Sequence, residues 1–347
     1  MSIEGLHNAP ESSARNPESY PDAMRILVAY DGSAHAQAAI TLAEELFKPC
    51  VLGQQCNLTA MTVLPTQYIG GHEALQQSLD EVKQRLELQD FPVEALIKAG
   101  NPAASINAYA EEINANLIVI GAQGLRATLG ILLGGVAQQV VEYSHCPVLV
   151  VRAPYTGIKR VLLATDGSAY GQQAVDYLAP VCPELPETDQ PRFHEKKKLT
   201  SQHGELHRRC SWLPPDARVT LMHVMPPPIS PDLAARAWTL GPEVLYPAPV
   251  APLDVARIES DEQHQGERVL NHAQSIFEAA GLVVDTQLVR GDAATEIIHF
   301  ARANSIDLIV CGSRGLSPVT SWLLGSVSRK LVHYANCSVL IVKSPRS

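Results

Sequence analysis

The stretch Leu308-Ile-Val-Cys-Gly312-Ser-Arg-Gly315, followed nine residues later by Gly325-Ser326, decides how this chain is read. It has a counterpart in Leu117-Ile-Val-Ile-Gly121-Ala-Gln-Gly124, followed nine residues later by Gly134-Gly135. In each copy an apolar run leads into a glycine loop, and the loop leads into an amphipathic segment. Strand, glycine loop and helix start form the order that turns backbone N–H groups toward a phosphate. A single GxxG means little, since a pair of tight turns satisfies it. The same spacing twice, in register, points to a duplicated nucleotide-binding module.

The repeat reaches well beyond the loops. Residues 100–152 align with 291–343 at a constant offset, so that Gly100 meets Gly291, Tyr143 meets Tyr334 and Cys146 meets Cys337. Each half opens on a strand (Arg25–Tyr30; Val161–Thr165) followed by Asp-Gly-Ser, Asp31-Gly32-Ser33 and Asp166-Gly167-Ser168. Further strands are predicted at 58–63, 92–97, 117–120 and 148–151, and again at 219–224, 283–289, 308–311 and 339–342. Between them the 3.6-residue spacing predicts helices, for example over 72–88, where Leu75, Leu79, Val82 and Leu86 form a stripe. Pro102 falls at a helix start, where its missing N–H costs nothing. Alternating strands and helices, with unbroken Val/Ile/Leu strands, predict a parallel sheet covered on both faces.

These patterns divide the chain into a polar, disordered lead-in over 1–23, a first domain over 24–153 and a second over 154–347, joined near Ala153–Lys159. The second domain carries insertions at about 183–216 and 225–254, and more than half of the 25 prolines lie between Pro180 and Pro252. Such composition builds no core and reads as spacer or lid. One insertion holds His194, His203, His207 and Cys210. The last three share one face if the stretch is helical, a set zinc accepts, although a solvated polar segment is the commoner outcome.

Composition excludes several classes. With 347 residues, 46% of them hydrophobic, the chain has room for two packed cores. A net charge of −9 offers no general attraction to nucleic acid or to an anionic membrane. No apolar run approaches the roughly 20 residues that span a bilayer. The seven cysteines are odd in number and form no CxxC pair, which suits buried thiols in a reducing, cytoplasmic compartment.

Asp31 and Asp166 stand where first strands end. Ligands of open α/β sheets sit outside the carboxyl ends of strands, at the point where strand order reverses. A carboxylate there accepts hydrogen bonds from a ribose or a base amine; an Asp at that place can equally cap the next helix. The first two glycines of each loop are expected to let backbone approach a phosphate without a Cβ in the way. Gly325-Ser326 starts the final helix, whose amides and dipole favour an anion, and the Ser326 hydroxyl adds a donor. Arg314 suits either a terminal phosphate or the surface, and its counterpart Gln123 is neutral.

Asp-Gly-Ser after the first strand, G-x2-G-x9-G-(S/T), and a last strand reading CPVLVV or CSVLIV resemble the universal stress protein family in both halves. The resemblance implies two tandem doubly wound, Rossmann-like α/β domains, each with a five-stranded parallel sheet. It also implies that they pair as an intramolecular pseudo-dimer through Val148–Val151 and Val339–Val342. It implies an adenine nucleotide, ATP, with Mg2+ left open, between the aspartate and the glycine loop. Carried over by motif, the second site uses Thr165, Asp166, Val224, Gly312, Gly315, Gly325, Ser326 and Val327, with Arg314 beside them as a candidate of its own. The first uses Tyr30, Asp31, Val63, Gly121, Gly124, Gly134 and Val136. Gly135 departs from the pattern by lacking the hydroxyl, and Tyr30 is expected to crowd the base. The expectation is therefore a nucleotide-binding stress-response regulator, occupied mainly in its second half, with a protein partner unspecified and homodimerisation of tandem chains left open. A slow ATPase or self-phosphorylating enzyme is the competing reading, weakened by the lack of a GK[ST] loop. An empty-looped interaction scaffold is the third.

Overall fold

The computed structural model describes residues 23–52, 56–65, 72–125, 133–179, 213–214, 216–228, 252–315 and 324–343. The lead-in over 1–22, most of both insertions, and with them His194, His203, His207 and Cys210 lie outside the described residues.

The first half runs β1 (Met24–Ala29), α1 (Ala34–Leu52), β2 (Cys56–Leu64), α2 (His72–Glu87), β3 (Glu94–Ala99), α3 (Pro102–Glu112), β4 (Leu117–Gly121), α4 (Gly135–Tyr143) and β5 (Val148–Val151). The second runs β6 (Arg160–Ala164), α5 (Ala169–Leu178), β7 (Arg218–Met225), α6 (Pro252–Ala279), β8 (Val284–Arg290), α7 (Ala293–Ala303), β9 (Leu308–Gly312), α8 (Ser326–Tyr334) and β10 (Ser338–Val342). Helix α6 begins at Pro252, inside the stretch expected to belong to the second insertion, because proline is tolerated in a first turn. Helix α3 starts as expected, with Pro102 in its first turn and the Asn101 side chain accepting from Ala104 N at 3.1 Å.

All ten strands form one sheet in the order β3-β2-β1-β4-β5-β10-β9-β6-β7-β8. Within each half every pairing is parallel. The halves join through one antiparallel pair, β5 with β10, in the register Val339↔Val150, Leu340↔Leu149 and Ile341↔Val148. Parallel strands lie in the buried middle of a layered fold, and both joining strands are buried along their whole length. Alternation sends Leu149 and Leu340 to the face covered by α1, α2, α5 and α6, and Val148, Val150, Val339 and Ile341 to the face covered by α3, α4, α7 and α8. Each such side chain contributes about 1.5–3 kcal/mol to folding by leaving water. In both halves the strand order reverses beside the first strand, between β1 and β4 and between β6 and β9.

Candidate nucleotide site

Each reversal point is closed by residues from four places: the first strand's end, the following helix start, the glycine loop and the last helix. In the first half Asp31 Oδ1 accepts from Ser33 N at 3.0 Å, a tight local turn. Ser33 Oγ accepts from Ala36 N at 3.1 Å and donates to Gln123 O at 3.0 Å. In the second, Asp166 Oδ1 accepts from Ser168 N and Ser168 Oγ accepts from Gly171 N, both at 3.0 Å. The capping role weighed for the aspartates therefore belongs to the serines. The other carboxylate oxygen turns to the glycine loop, where Asp31 Oδ2 accepts from Leu125 N at 3.2 Å.

The glycines have an internal purpose beside the expected one. A Cβ on Gly124 would stand 2.5 Å from Asp31 Oδ2, and one on Gly315 the same distance from Asp166 Oδ2. A Cβ on Gly121 would meet Ala36 N at 2.7 Å, and one on Gly312 would strike the Tyr170 backbone. The first glycine thus admits the neighbouring helix and the second admits the carboxylate. Ala122 N and Ser313 N donate to Val151 O and Val342 O at 2.8 Å, which ties each loop to its half's last strand.

The last helices are where anion capacity remains. Gly134 N donates to Ala122 O at 2.7 Å and Gly325 N to Ser313 O at 2.8 Å, so those two amides are spent within the loop. The next amides open α4 and α8, whose caps, Gly134 and Gly325, supply no side-chain hydrogen bond. Helices α3, α5 and α7 differ, being capped by the side chains of Asn101, Ser168 and Asp292. Uncapped first-turn N–H groups seek an acceptor, and the helix dipole favours a negative one. Ser326 is exposed at the first position of α8 and Val136 is exposed near the start of α4. A Cβ on Gly135 would meet nothing within 4 Å.

The remaining predicted residues divide. Val63 and Val224 are the next-to-last residues of β2 and β7, half-buried against the α3, α4, α7 and α8 face. Val327 is half-buried in α8. Thr165 leads into the Asp166 turn and accepts from Gly167 N at 3.4 Å. Tyr30 departs from the expectation that it crowds the base. Its ring is 5% exposed in the core beneath α1 and α2, and its hydroxyl lies 2.8 Å from Ser78 Oγ. Its β2 neighbour is the small Thr62, whose hydroxyl donates to Tyr30 O at 2.9 Å. In the second half the sizes are exchanged, with small Thr165 beside His223, whose Nδ1 lies 2.9 Å from Thr165 O. Arg314 is half-buried, with its guanidinium over the Tyr170 ring, 5.4 Å from the centroid, and Nη1 donating to Tyr170 Oη at 3.1 Å.

Thiols expected to be buried are so among the described residues for Cys56, Cys146 and Cys311, while Cys337 is half-buried. Burial pushes the Cys146 and Cys311 thiols up to about 12 and Cys337 to about 11. No group of three His, Cys, Asp or Glu side chains is placed to hold a metal among the described residues. None of the described helices is long and apolar enough to cross a membrane.

A model of the universal stress protein family matches residues 23–152 and 213–343. The chain belongs to the universal stress protein family. A universal stress protein of Thermus aquaticus is 35% identical over 135 residues, 37% of this chain and 97% of the relative. One of Methanocaldococcus jannaschii is 34% identical over 84 residues, 24% of this chain and 49% of the relative. Another, of Bacillus subtilis, is 34% identical over 89 residues, 26% of this chain. The chain thus spans 49% and 60% of the length of the latter two relatives. The crystal structure of a universal stress protein from Archaeoglobus fulgidus shares the fold, with a TM-score of 0.56 at 18% identity, covering 92% of this chain and 98% of that one.

Two cations escaped the reading of the sequence as site-supporting groups. Arg152 and Lys343 end the aligned repeat in the two halves, one directly after β5 and one after β10. Their matching positions in the repeat were the available signal.

Proposed function

We propose that this universal stress protein is an ATP-binding regulatory protein, with nucleotide held mainly in the second half and turnover secondary to binding. The observation that supports it is one coincidence present in both halves: an uncapped helix N-terminus faces a strand-order reversal where a carboxylate is already fixed. Phosphate oxygens would take the amides at the start of α8, with Ser326 Oγ as a further donor. Asp166, Thr165 and Val224 would face the adenosine part. The second half is favoured because Gly135 lacks the hydroxyl of Ser326, a hydrogen bond of about 0.5–1.5 kcal/mol. Arg314 also carries charge where Gln123 carries none. The aspartate is the carboxylate that these elements bring to each loop, so Mg2+ would depend chiefly on phosphate oxygens for its ligands. That arrangement suits retention of a nucleotide better than phosphoryl transfer. Changes in loop order with occupancy would alter the surface offered to a protein partner. Among the described residues the free thiols of Cys56, Cys146 and Cys311 are buried, which supports a cytoplasmic location.

Heating the purified protein and chromatographing the released small molecules is expected to yield adenine nucleotide. Protein that carries none and also fails to bind added ATP overturns the proposal. Titration of labelled ATP is expected to lose most binding with Gly325→Val and little with Gly134→Val. The opposite order overturns the preference for the second half.

A further inference from the structure

The same two cations join each nucleotide site to the other half of the chain. Arg152 is 8% exposed, and its Nη2 donates to Val332 O at 2.7 Å and His333 O at 3.5 Å, the closing carbonyls of α8. Lys343 Nζ donates to Glu142 O at 3.1 Å and Ser144 O at 2.9 Å, at the end of α4. Each cation thus caps the C-terminus of the opposite half's anion-facing helix, where the dipole favours positive charge. Each also stands one residue beyond the carbonyl that holds its own half's glycine loop, Val151 O for Ala122 N and Val342 O for Ser313 N. Ala153 N, on the other side of Arg152, donates to His35 Nδ1 at 2.9 Å, beside the loop's first glycine. An ion pair between Arg329 and Glu142, 3.7 Å, adds a direct tie from α8 to α4.

We propose that Arg152 and Lys343 are positioning residues that couple the two nucleotide sites, each transmitting the state of its own half's loop to the helix that binds phosphate in the other. The proposal rests on the nucleotide reading above. A nine-residue helix is about 14 Å long and moves as a rod, so a shift imposed at its last carbonyls reaches its first amides. Coupling of this kind is reciprocal: ATP in one half changes affinity in the other by the same factor in both directions. A cation that only capped the opposite helix would weaken that helix's site alone, whereas one that couples the sites alters how occupancy of either site changes affinity at the other.

The test is an ATP titration of the full chain followed by NMR at the amides of Val136 and Val327, one per site. In wild-type protein, affinity read at either amide is expected to differ about fivefold or more according to whether the other site is open or closed by Gly134→Val or Gly325→Val, and Arg152→Met is expected to remove most of that difference in both directions. Lys343→Met is expected to do the same, and Arg152→Lys to restore most of the coupling. Hydrogen exchange without nucleotide is expected to quicken in α8 for Arg152→Met and in α4 for Lys343→Met. An affinity at one site that does not depend on occupancy of the other in wild-type protein, or a dependence that Arg152→Met and Lys343→Met leave unchanged, overturns the coupling. Should wild-type protein show no response to ATP at either amide, the nucleotide reading falls, and unchanged exchange in α4 and α8 then overturns the mechanical coupling as well. If Arg152→Met does not fold, Lys343→Met, at a half-buried position, decides the matter.

Discussion

Giving the first half the hydroxyl it lacks is a direct trial of how these loops bind. Gly135 is the first residue of α4, and an added Cβ meets nothing within 4 Å. Gly135→Ser therefore adds a donor without a steric cost, matching Ser326 at the start of α8. One hydrogen bond nets about 0.5–1.5 kcal/mol. At 1.4 kcal/mol per tenfold, that is about a 2- to 12-fold tightening for ATP in the first half. The mirror change, Ser326→Gly, is expected to loosen the second half by a similar factor. Exchanging glycine for serine also favours the helix by at most roughly 0.5 kcal/mol, a gain visible in urea unfolding whether or not ATP is present. Isothermal titration with ATP separates the two effects. Protein that is slightly stabilised but binds ATP no tighter, together with Ser326→Gly that binds no weaker, would refute the assignment of phosphate to these helix starts.

Gly124→Ala and Gly315→Ala place a Cβ 2.5 Å from carboxylates that the Ser33 and Ser168 amides already hold. Each is expected to cost about 1–3 kcal/mol in urea unfolding and to abolish ATP binding in its own half, so full ATP affinity in Gly315→Ala contradicts the geometry. Stability is expected to depend on pH through His35 and His333, both held below the ordinary 6.5, chiefly by burial and further by nearby arginines. The unfolded chain binds these protons first, so the contribution is complete above about 6.5 and is lost as pH falls through the depressed values. Urea midpoints compared at pH 7.5 and 5.5 check this, and His35→Gln with His333→Gln together should flatten the difference.

Much of the architecture was open to reading because its signals are local. Unbroken apolar strands, helical stripes such as Leu75 to Leu86, and a glycine spacing repeated at one offset are properties of neighbours along the chain. The resemblance also anticipated the join through Val148–Val151 and Val339–Val342, which the antiparallel register confirms. The site was less open. Asp31 and Asp166 were readable as ligands or as helix caps, and the capping role passed to the serines only when Ser33 Oγ was found on Ala36 N. Tyr30 seemed oversized for its place because its companion Thr62, a strand away, could not be weighed with it.

By itself, then, the order of residues determined two βα repeats, each with a glycine loop at a strand's end, since periodicity and turn chemistry act over a few residues. Folding alone decided that Arg152 meets the carbonyls of Val332 and that Lys343 meets those of Glu142 and Ser144. Contacts between residues roughly 180–200 positions apart arise from the pairing of β5 with β10, and no spacing along the chain encodes them.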